Sequence, residues 1–301
     1  MNDKGQITLP KKCREVFELN PGDAILVLGD EDKGMALVKL GGVIEDARNA
    51  SGGKRNDSST GKRAAKRYKG KTAVNSLDIT VKKGELFALL GVNGAGKTTT
   101  IRMLTCLSKP TGGEAYICGH NVSTESVLVK KAVGVSPQDT AVAENLTVRE
   151  NLELMAKIYG FTQEKRNERV AEMQRMFKLD EVMEQRTKTL SGGWKRRVSI
   201  AMALISEPEV LFLDEPTLGL DVLARRELWS AIQSLKGSIT VILTTHYMEE
   251  AEQLSDRIAI MVSGKLRAVG TLSELEALTG EKGLENAFIK IAESSEGGEA
   301  V

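Results

Sequence analysis

The sequence lacks any long apolar run. Its longest runs are short, such as residues 210–213 and 258–262, and none approaches the about 20 apolar residues that a membrane-spanning helix needs. No apolar signal region follows the first residues, and the three cysteines form no CxxC pair. We therefore expect neither a spanning segment nor a disulfide framework, but a cytoplasmic chain with reduced thiols.

An excess of charge of one sign is also missing, because 42 Lys and Arg residues balance 41 Asp and Glu residues. A hydrophobic share of 41% and a charged share of 28% are ordinary for globular proteins, which excludes wholesale disorder. The basic excess is confined to residues 45–72, with nine basic against three acidic residues. Small polar residues dominate residues 50–61, so this part of the chain is predicted to be a flexible linker.

The linker divides the chain into a small and a large part. The small part has strand-like runs at 24–28 and 35–40 around a turn, which favours a hairpin. The large part alternates buried-type strands with helical patterns, which favours an α/β fold with a parallel sheet. We predict a mainly-β domain over 1–44, a basic linker over 45–63, an α/β domain over 64–284 with a helical subdomain at about 139–190, and a tail over 285–301.

A glycine-rich motif follows the strand-like residues 86–90. Residues 91–99 match G-x-x-x-x-G-K-[ST] and precede a helical run at 100–107, the context of a P-loop. The backbone N–H groups of such a loop surround phosphate, while Lys97 supplies charge at the β- and γ-phosphates and Thr98 a hydroxyl to Mg²⁺. The predicted ATP-binding residues of this loop are Gly91, Asn93, Gly94, Ala95, Gly96, Lys97, Thr98 and Thr99.

Two carboxylates end the apolar strand at 210–213. A buried strand that delivers acids at its C-terminal edge, beside a P-loop, is typical of a Mg²⁺ site with a base for water. Asp214 is predicted to orient the ligands of Mg²⁺, and Glu215 to polarise the attacking water.

A third motif, Leu-Ser-Gly-Gly at 190–193, precedes a helical run. Ser191 can cap that helix, and the two glycines leave N–H groups exposed at its positive end. This pattern predicts a second anion site, far in sequence from the P-loop.

Together these motifs resemble the nucleotide-binding domain of ABC transporters, from about Ala64 to Leu284, with residues 190–193 standing for the LSGG signature. The resemblance implies a P-loop NTPase fold, with a RecA-like core, an antiparallel β subdomain and an α-helical subdomain. It also implies ATP and Mg²⁺ as ligands, and an ATPase that converts ATP and water to ADP and phosphate.

The resemblance implies roles for residues outside the P-loop. Tyr68 sits where an aromatic ring stacks on adenine, and Gln138 where a glutamine senses Mg²⁺ and the γ-phosphate and couples to the membrane subunit. His246 is implied to contact the γ-phosphate and to serve hydrolysis with the base. Ser191 and the backbone of Gly193 are implied to close over ATP held by a second chain.

The sequence departs from the family pattern in several places. Trp194 replaces the usual glutamine of the signature, and Leu218 and Val222 replace a common serine and proline of the D-loop. Residues 61–65 stand where the family has its first strand, but they are too basic for a central strand. We therefore expect this strand to be missing and Tyr68 to be poorly held.

Residues 145–151 and 217–221 look most like ATPase subunits of bacterial drug, antibiotic or sodium exporters. In these exporters the membrane subunits are separate polypeptides. The resemblance implies a homodimer or a paired ATPase, an integral membrane permease as partner, and a position on the inner face of the cell membrane.

Residues 4–15, followed by Pro-Gly-Asp at 21–23, resemble the SpoVT-AbrB swapped-hairpin DNA-binding domain. The candidate DNA contacts are Lys4, Lys11, Lys12 and Arg14. This part of the chain is net acidic by one charge and starts almost at the motif, so we expect no useful affinity for DNA. Two alternatives to the exporter stay open: an ATP-switched DNA-binding regulator, and a non-functional fusion of two neighbouring genes.

Overall fold

The computed structural model describes residues 25–30, 34–39, 58–68 and 71–294 of the 301. The chain divides into two compact units, residues 1–53 and 54–301. In the first, β1 (Ile25–Asp30) pairs antiparallel with β2 (Gly34–Lys39), so that Ile25 lies opposite Lys39. This confirms the predicted hairpin; the other predictions for residues 1–44 lie outside the described residues.

The second unit is built on a six-stranded sheet with the order β12-β11-β5-β10-β9-β8. All neighbours run parallel except the edge strand β12, which is antiparallel to β11. The strands are β5 (Leu86–Leu90), β8 (Val133–Ser136), β9 (Val210–Asp214), β10 (Thr240–Thr245), β11 (Arg257–Val262) and β12 (Lys265–Gly270). The predicted strands at 86–90 and 210–213 are both in this sheet.

Helices connect the parallel strands of this sheet, and two more helices follow its last strand, β12. The helices are α1 (Lys97–Leu104), α2 (Ser126–Ala132), α3 (Val148–Ile158), α4 (Gln163–Met176), α5 (Gly192–Leu204), α6 (Val222–Gln233), α7 (Met248–Leu254), α8 (Leu272–Thr279) and α9 (Leu284–Glu293). A capping box between Thr147 and Glu150 fixes the start of α3 at Val148. Among the described residues, no helix has the length and apolar character that crossing a bilayer requires.

The core lies on both faces of the parallel sheet. Along β5, Leu86, Ala88 and Leu90 belong to one apolar cluster, while Phe87 and Leu89 belong to the other. Successive side chains of a strand point to opposite faces, so β5 is buried on both sides. This explains why the run reads as continuously apolar.

A second, antiparallel sheet has the order β4-β3-β6-β7, with β3 at Ser58–Tyr68, β4 at Lys71–Lys82, β6 at Gly112–Ile117 and β7 at His120–Asn121. The prediction that the strand at 61–65 is missing was wrong, because β3 pairs with both β4 and β6. An antiparallel sheet needs only one apolar face, and Ala64 supplies a fully buried side chain while the strand around it is basic. The strand also begins at Ser58, inside the range predicted as linker.

The C-terminal end of the domain is longer than predicted. Residues 285–301 were expected to form a tail, but α9 extends to Glu293. Its apolar side chains Leu284, Ala287, Phe288 and Ile291 are buried, and their i, i+3, i+4, i+7 spacing gives one continuous apolar stripe. The folded part therefore continues through this helix.

Candidate active site

The P-loop connects β5 to α1, as the motif predicts. A Cβ atom on Gly91 would lie 2.5 Å from the carbonyl oxygen of Met261, and one on Gly96 would lie 2.5 Å from that of Ala73. Gly96 also has a φ of 103°, which only glycine adopts readily. Both positions therefore require glycine, because the backbone of the loop lies too close to the carbonyl oxygens of Met261 and Ala73 for any side chain.

Lys97 is the first residue of α1, and its side chain is buried under the loop. Its Nζ donates to the carbonyl oxygens of Gly91 at 2.7 Å and Val92 at 3.3 Å. The same Nζ lies 3.4 Å from Oε1 of Glu215, and both side chains are less than a tenth exposed. The lysine of the P-loop and the acid at the end of β9 therefore form a buried ion pair.

Asp214 lies beside the start of α1. The hydroxyl of Thr98 donates to Oδ1 of Asp214 at 3.2 Å, and the hydroxyl of Thr244 donates to the same oxygen at 2.5 Å. A hydroxyl and a carboxylate at this distance are hard oxygen ligands of the kind that Mg²⁺ takes. Among the described residues, no cluster of three or more His, Cys, Asp or Glu side chains could hold a metal by itself. The donor set fits a cation that completes its ligands with water and phosphate.

Glu215 has a backbone conformation that is rare outside glycine, with φ at 48°. Its N–H group donates to both the hydroxyl and the carbonyl oxygen of Thr244, each at 3.1 Å. A left-handed residue costs about 1–3 kcal/mol and persists only where its surroundings hold it. The two bonds to Thr244 provide that support and direct the Glu215 carboxylate toward Lys97.

His246 reaches the same carboxylate from the end of β10. Its Nδ1 lies 3.2 Å from Oε1 of Glu215, but makes no directed hydrogen bond to any described residue. The ring centroids of His246 and Tyr247 are 4.1 Å apart, and the Arg225 guanidinium lies 4.9 Å from the Tyr247 ring. The Tyr247 ring packs against the imidazole beside Glu215.

The chain is similar to known ATP-binding proteins. The family model for "ABC transporter" matches residues 74–218. Daunorubicin resistance ATP-binding protein DrrA3 of Streptomyces coeruleorubidus is 43% identical over 218 residues, which cover 72% of this chain and 69% of DrrA3. The chain belongs to the ABC transporter ATP-binding family.

Two further comparisons show the range of the family. The human phospholipid-transporting ATPase ABCA3 is 44% identical over 203 residues, but the chain spans only 12% of its length. The dimeric cassette MJ0796 bound to ADP and phosphate superposes with a TM-score of 0.65 at 27% identity, covering 71% of this chain and 98% of that one. The fold of the cassette predicted from sequence, a P-loop NTPase with mixed sheets and helices, is confirmed.

The signature segment of the cassette lies at the N-terminus of α5. Ser191 is the N-cap residue of this helix, but its side chain accepts no capping hydrogen bond, so its hydroxyl stays available. Ser191 and Gly193 line an open groove of about 490 Å³ together with Asp221 and Leu223. The residues that line this groove include none of the P-loop.

Gln138 is exposed and is held through its backbone. Arg196 donates from its guanidinium to the carbonyl oxygens of Pro137, at 2.6 Å, and of Gln138. Burial lowers the pKa of Arg196, and the carboxylates of Asp214 and Asp139 oppose that effect. The sequence reading missed the role of Arg196, although it lies five residues after Ser191, inside the signature helix.

Thr244 was also missed as a functional residue. It is fully buried, and it contacts both the Asp214 carboxylate and the Glu215 N–H group. A signal was available, because the C-terminal ends of neighbouring parallel strands meet at one edge of the sheet. β9 and β10 pair in register, with Thr244 opposite Asp214.

Other predicted residues remain predictions. Tyr68 ends β3 opposite Lys71, and only its backbone is described. Asn93 and Gly94 are exposed at the top of the P-loop. The candidate DNA contacts Lys4, Lys11, Lys12 and Arg14 lie outside the described residues, so the resemblance to the SpoVT-AbrB domain finds no support in the structure.

Proposed function

We propose that this cassette binds ATP with Mg²⁺ and hydrolyses it to ADP and phosphate. The observation that carries the proposal is the contact of the partly exposed His246 with the buried pair of Lys97 and Glu215 at the P-loop. A lysine, an acid and a histidine at one point offer a phosphate-binding cation, a proton acceptor and a further phosphate contact.

Binding uses groups that the fold already directs into the loop. The N–H groups around Gly94 and Gly96 and the N-terminus of α1 favour phosphate oxygens. Lys97 exchanges its contacts with two backbone carbonyl oxygens for the β- and γ-phosphates. Thr98 and Asp214 would hold Mg²⁺, which neutralises phosphate charge when bound. Tyr68 is assigned to the adenine ring.

In this proposal, hydrolysis depends on the same exchange of contacts by Lys97. Once Lys97 turns to the phosphates, the Glu215 carboxylate is free to accept a proton from water. The water oxygen then forms a bond to the γ-phosphorus while the bond from phosphorus to the bridging oxygen breaks. His246 contacts the γ-phosphate, and Gln138 approaches the water and the phosphate from the loop after β8.

We assign the second half of the site to another copy or a paired ATPase. The groove of Ser191 and Gly193 contains no P-loop residue, and we assign the signature hydroxyl to phosphate held by a second chain. The dimeric state of the similar cassette MJ0796 supports this arrangement.

We further propose that the cassette drives a separate membrane permease of an exporter, from the cytoplasmic side of the membrane. The similarity to DrrA3, whose name records daunorubicin resistance, favours export of a drug, an antibiotic or another small molecule. The loop of Gln138, held by Arg196, is the proposed link between nucleotide and permease.

The test compares the parent chain with Glu215→Gln. The amide keeps the shape of the side chain but accepts no proton, so ATP binding should persist while turnover falls by about a hundredfold or more. Glu249, an exposed acid on α7 that pairs with Arg225, provides the matched control, and Glu249→Gln should hydrolyse ATP like the parent. Turnover by Glu215→Gln at the parent rate would reject Glu215 as the base.

A further inference from the structure

Glu250 is a buried carboxyl group that the proposed reaction does not use. It lies on α7 and is fully buried. Its Oε1 accepts hydrogen bonds from the Thr217 hydroxyl at 2.7 Å and from the Trp229 indole at 3.1 Å. Its Oε2 has no hydrogen-bond partner among the described residues. A group that is costly to bury, with one oxygen unpaired, calls for an explanation.

The bond from Thr217 joins two segments of the active site. Thr217 lies two residues after Glu215, and Glu250 lies four residues after His246. The same two segments also touch through the 3.2 Å contact of Glu215 and His246. Two links, one at the reacting groups and one behind them, therefore set the spacing of the acid and the histidine.

The two links differ in their surroundings. The His246 side chain is 27% exposed, and its contact with Glu215 must open when water and phosphate enter between them. The Thr217 hydroxyl and the Glu250 carboxyl are fully buried, where a hydrogen bond is stronger and water does not compete. The bond between Thr217 and Glu250 can therefore persist while the contact between Glu215 and His246 opens.

Trp229 has a different place in this cluster. It lies on α6, and its indole N–H donates to the same Oε1 of Glu250 that accepts from Thr217. Its bond to Glu250 therefore stabilises the packing of α6 on α7 without joining the segments of Glu215 and His246.

We propose that Glu250 is a positioning residue, which holds the Glu215 segment to the His246 segment through Thr217 during the reaction. This inference rests on the proposed hydrolysis of ATP. Glu250 itself touches no reacting atom; it acts by keeping Glu215 and His246 in place after they release one another.

The kinetic test removes each of the two hydrogen bonds to Glu250 in turn. Thr217→Val deletes the bond that joins the site segments and keeps the shape of the side chain. Trp229→Phe deletes the bond from α6 and keeps a smaller aromatic ring. We expect Thr217→Val to lower kcat about tenfold with an unchanged KM for ATP, and Trp229→Phe to change kcat less than about twofold. Denaturant unfolding should show a loss of stability in both variants.

Equal kcat values in the two variants, or a loss in Thr217→Val that appears only in KM, would overturn the inference. The first result would mean that Glu250 stabilises the fold in general. The second would mean that the link serves nucleotide binding rather than the placement of Glu215 and His246.

A second measurement separates this inference from the proposed function. The chain has two histidines, so His120→Gln leaves His246 as the only source of imidazole ¹⁵N signals. In this background, without nucleotide, Thr217→Val should shift the His246 ring signals clearly more than Trp229→Phe does. If the parent fails to hydrolyse ATP, the proposed function fails, while His246 signals that Thr217→Val leaves unmoved would overturn the role of Glu250.

Discussion

The Nζ of Lys97 lies 3.4 Å from Oε1 of Glu215, in a contact that water barely reaches. The cation assigned to phosphate and the base assigned to water thus neutralise one another before nucleotide arrives. In the proposed reaction, ATP takes Lys97 away from Glu215, and the same event frees the carboxylate. The proposal therefore couples nucleotide binding to activation of the base through one side chain.

Removing the lysine should therefore abolish tight binding. We expect Lys97→Ala to raise the Kd for ATP by about a hundredfold or more, because the loss of one partner of a desolvated charge contact costs about 2–5 kcal/mol. Calorimetric titration with ATP and Mg²⁺ measures this. Lys236→Ala, which removes an exposed lysine paired with Asp256, is the control, and equal affinity of the two variants would contradict the P-loop assignment.

We expect the hydroxyl of Thr244 to contribute to both stability and ATP turnover. Thr244→Val removes the bond to Asp214 and one of the two bonds to the Glu215 N–H group. We expect the free energy of unfolding to fall by about 1–3 kcal/mol, and ATP turnover to fall with it. Thr244→Ser keeps the hydroxyl and should restore turnover; a serine variant as impaired as the valine variant would show that the methyl group, not the hydroxyl, is needed.

The pKa of Glu250 predicts a pH dependence of stability. Burial raises this pKa above its ordinary value of 4.5, although Thr245, Thr217 and Trp229 oppose the effect. The folded state therefore binds the proton more tightly than the unfolded state, and this group's contribution to stability is lost as the pH rises through the folded-state pKa.

The substitution Glu250→Gln removes the contribution of this carboxyl group to the pH dependence of stability. The free energy of unfolding of Glu250→Gln minus that of the parent should therefore increase as the pH rises from 4.5 toward neutrality. Denaturant unfolding across this range measures the difference, with Glu249→Gln as an exposed control on the same helix. A difference that stays flat with pH would contradict a raised pKa.

Pairing of two chains should depend on the groove at the signature. Ser191→Arg places a long charged side chain where the second chain's phosphate is proposed to bind. We expect nucleotide-dependent dimers, which Glu215→Gln should accumulate, to disappear from size-exclusion chromatography in the Glu215→Gln/Ser191→Arg double variant. ATP binding to the P-loop should persist, and dimers at the level of Glu215→Gln alone would refute the proposed pairing.

The N-terminal residues 1–44 are predicted to give no useful affinity for DNA. They carry six basic against seven acidic residues, so little counterion release is available to drive binding. Fluorescence anisotropy at physiological salt, with the full chain and a chain without residues 1–44, measures this. Sub-micromolar, sequence-selective binding that disappears with the truncation would instead favour an ATP-switched regulator.

Local patterns predicted the elements that carry the chemistry. The P-loop, the acids that end β9 and the signature helix occur where the sequence placed them, because each depends on residues close together in the chain. Two boundaries were wrong for a common reason. Strand β3 is stabilised by partners on both sides, and α9 by an apolar stripe, so tertiary contacts outweighed the polar composition nearby.

By itself, the sequence indicated the family and the fold class through the resemblance of its motifs. It also determined the groups available for phosphate chemistry, because local spacing positions a P-loop or a strand that ends in acids. Only the tertiary structure decided which distant side chains support those groups. Thr244 holds Asp214 and Glu215, Arg196 holds the loop of Gln138, and Glu250 accepts from Thr217. Each of these contacts joins residues 29 or more positions apart, and such distances are set by how strands and helices pack rather than by any local pattern.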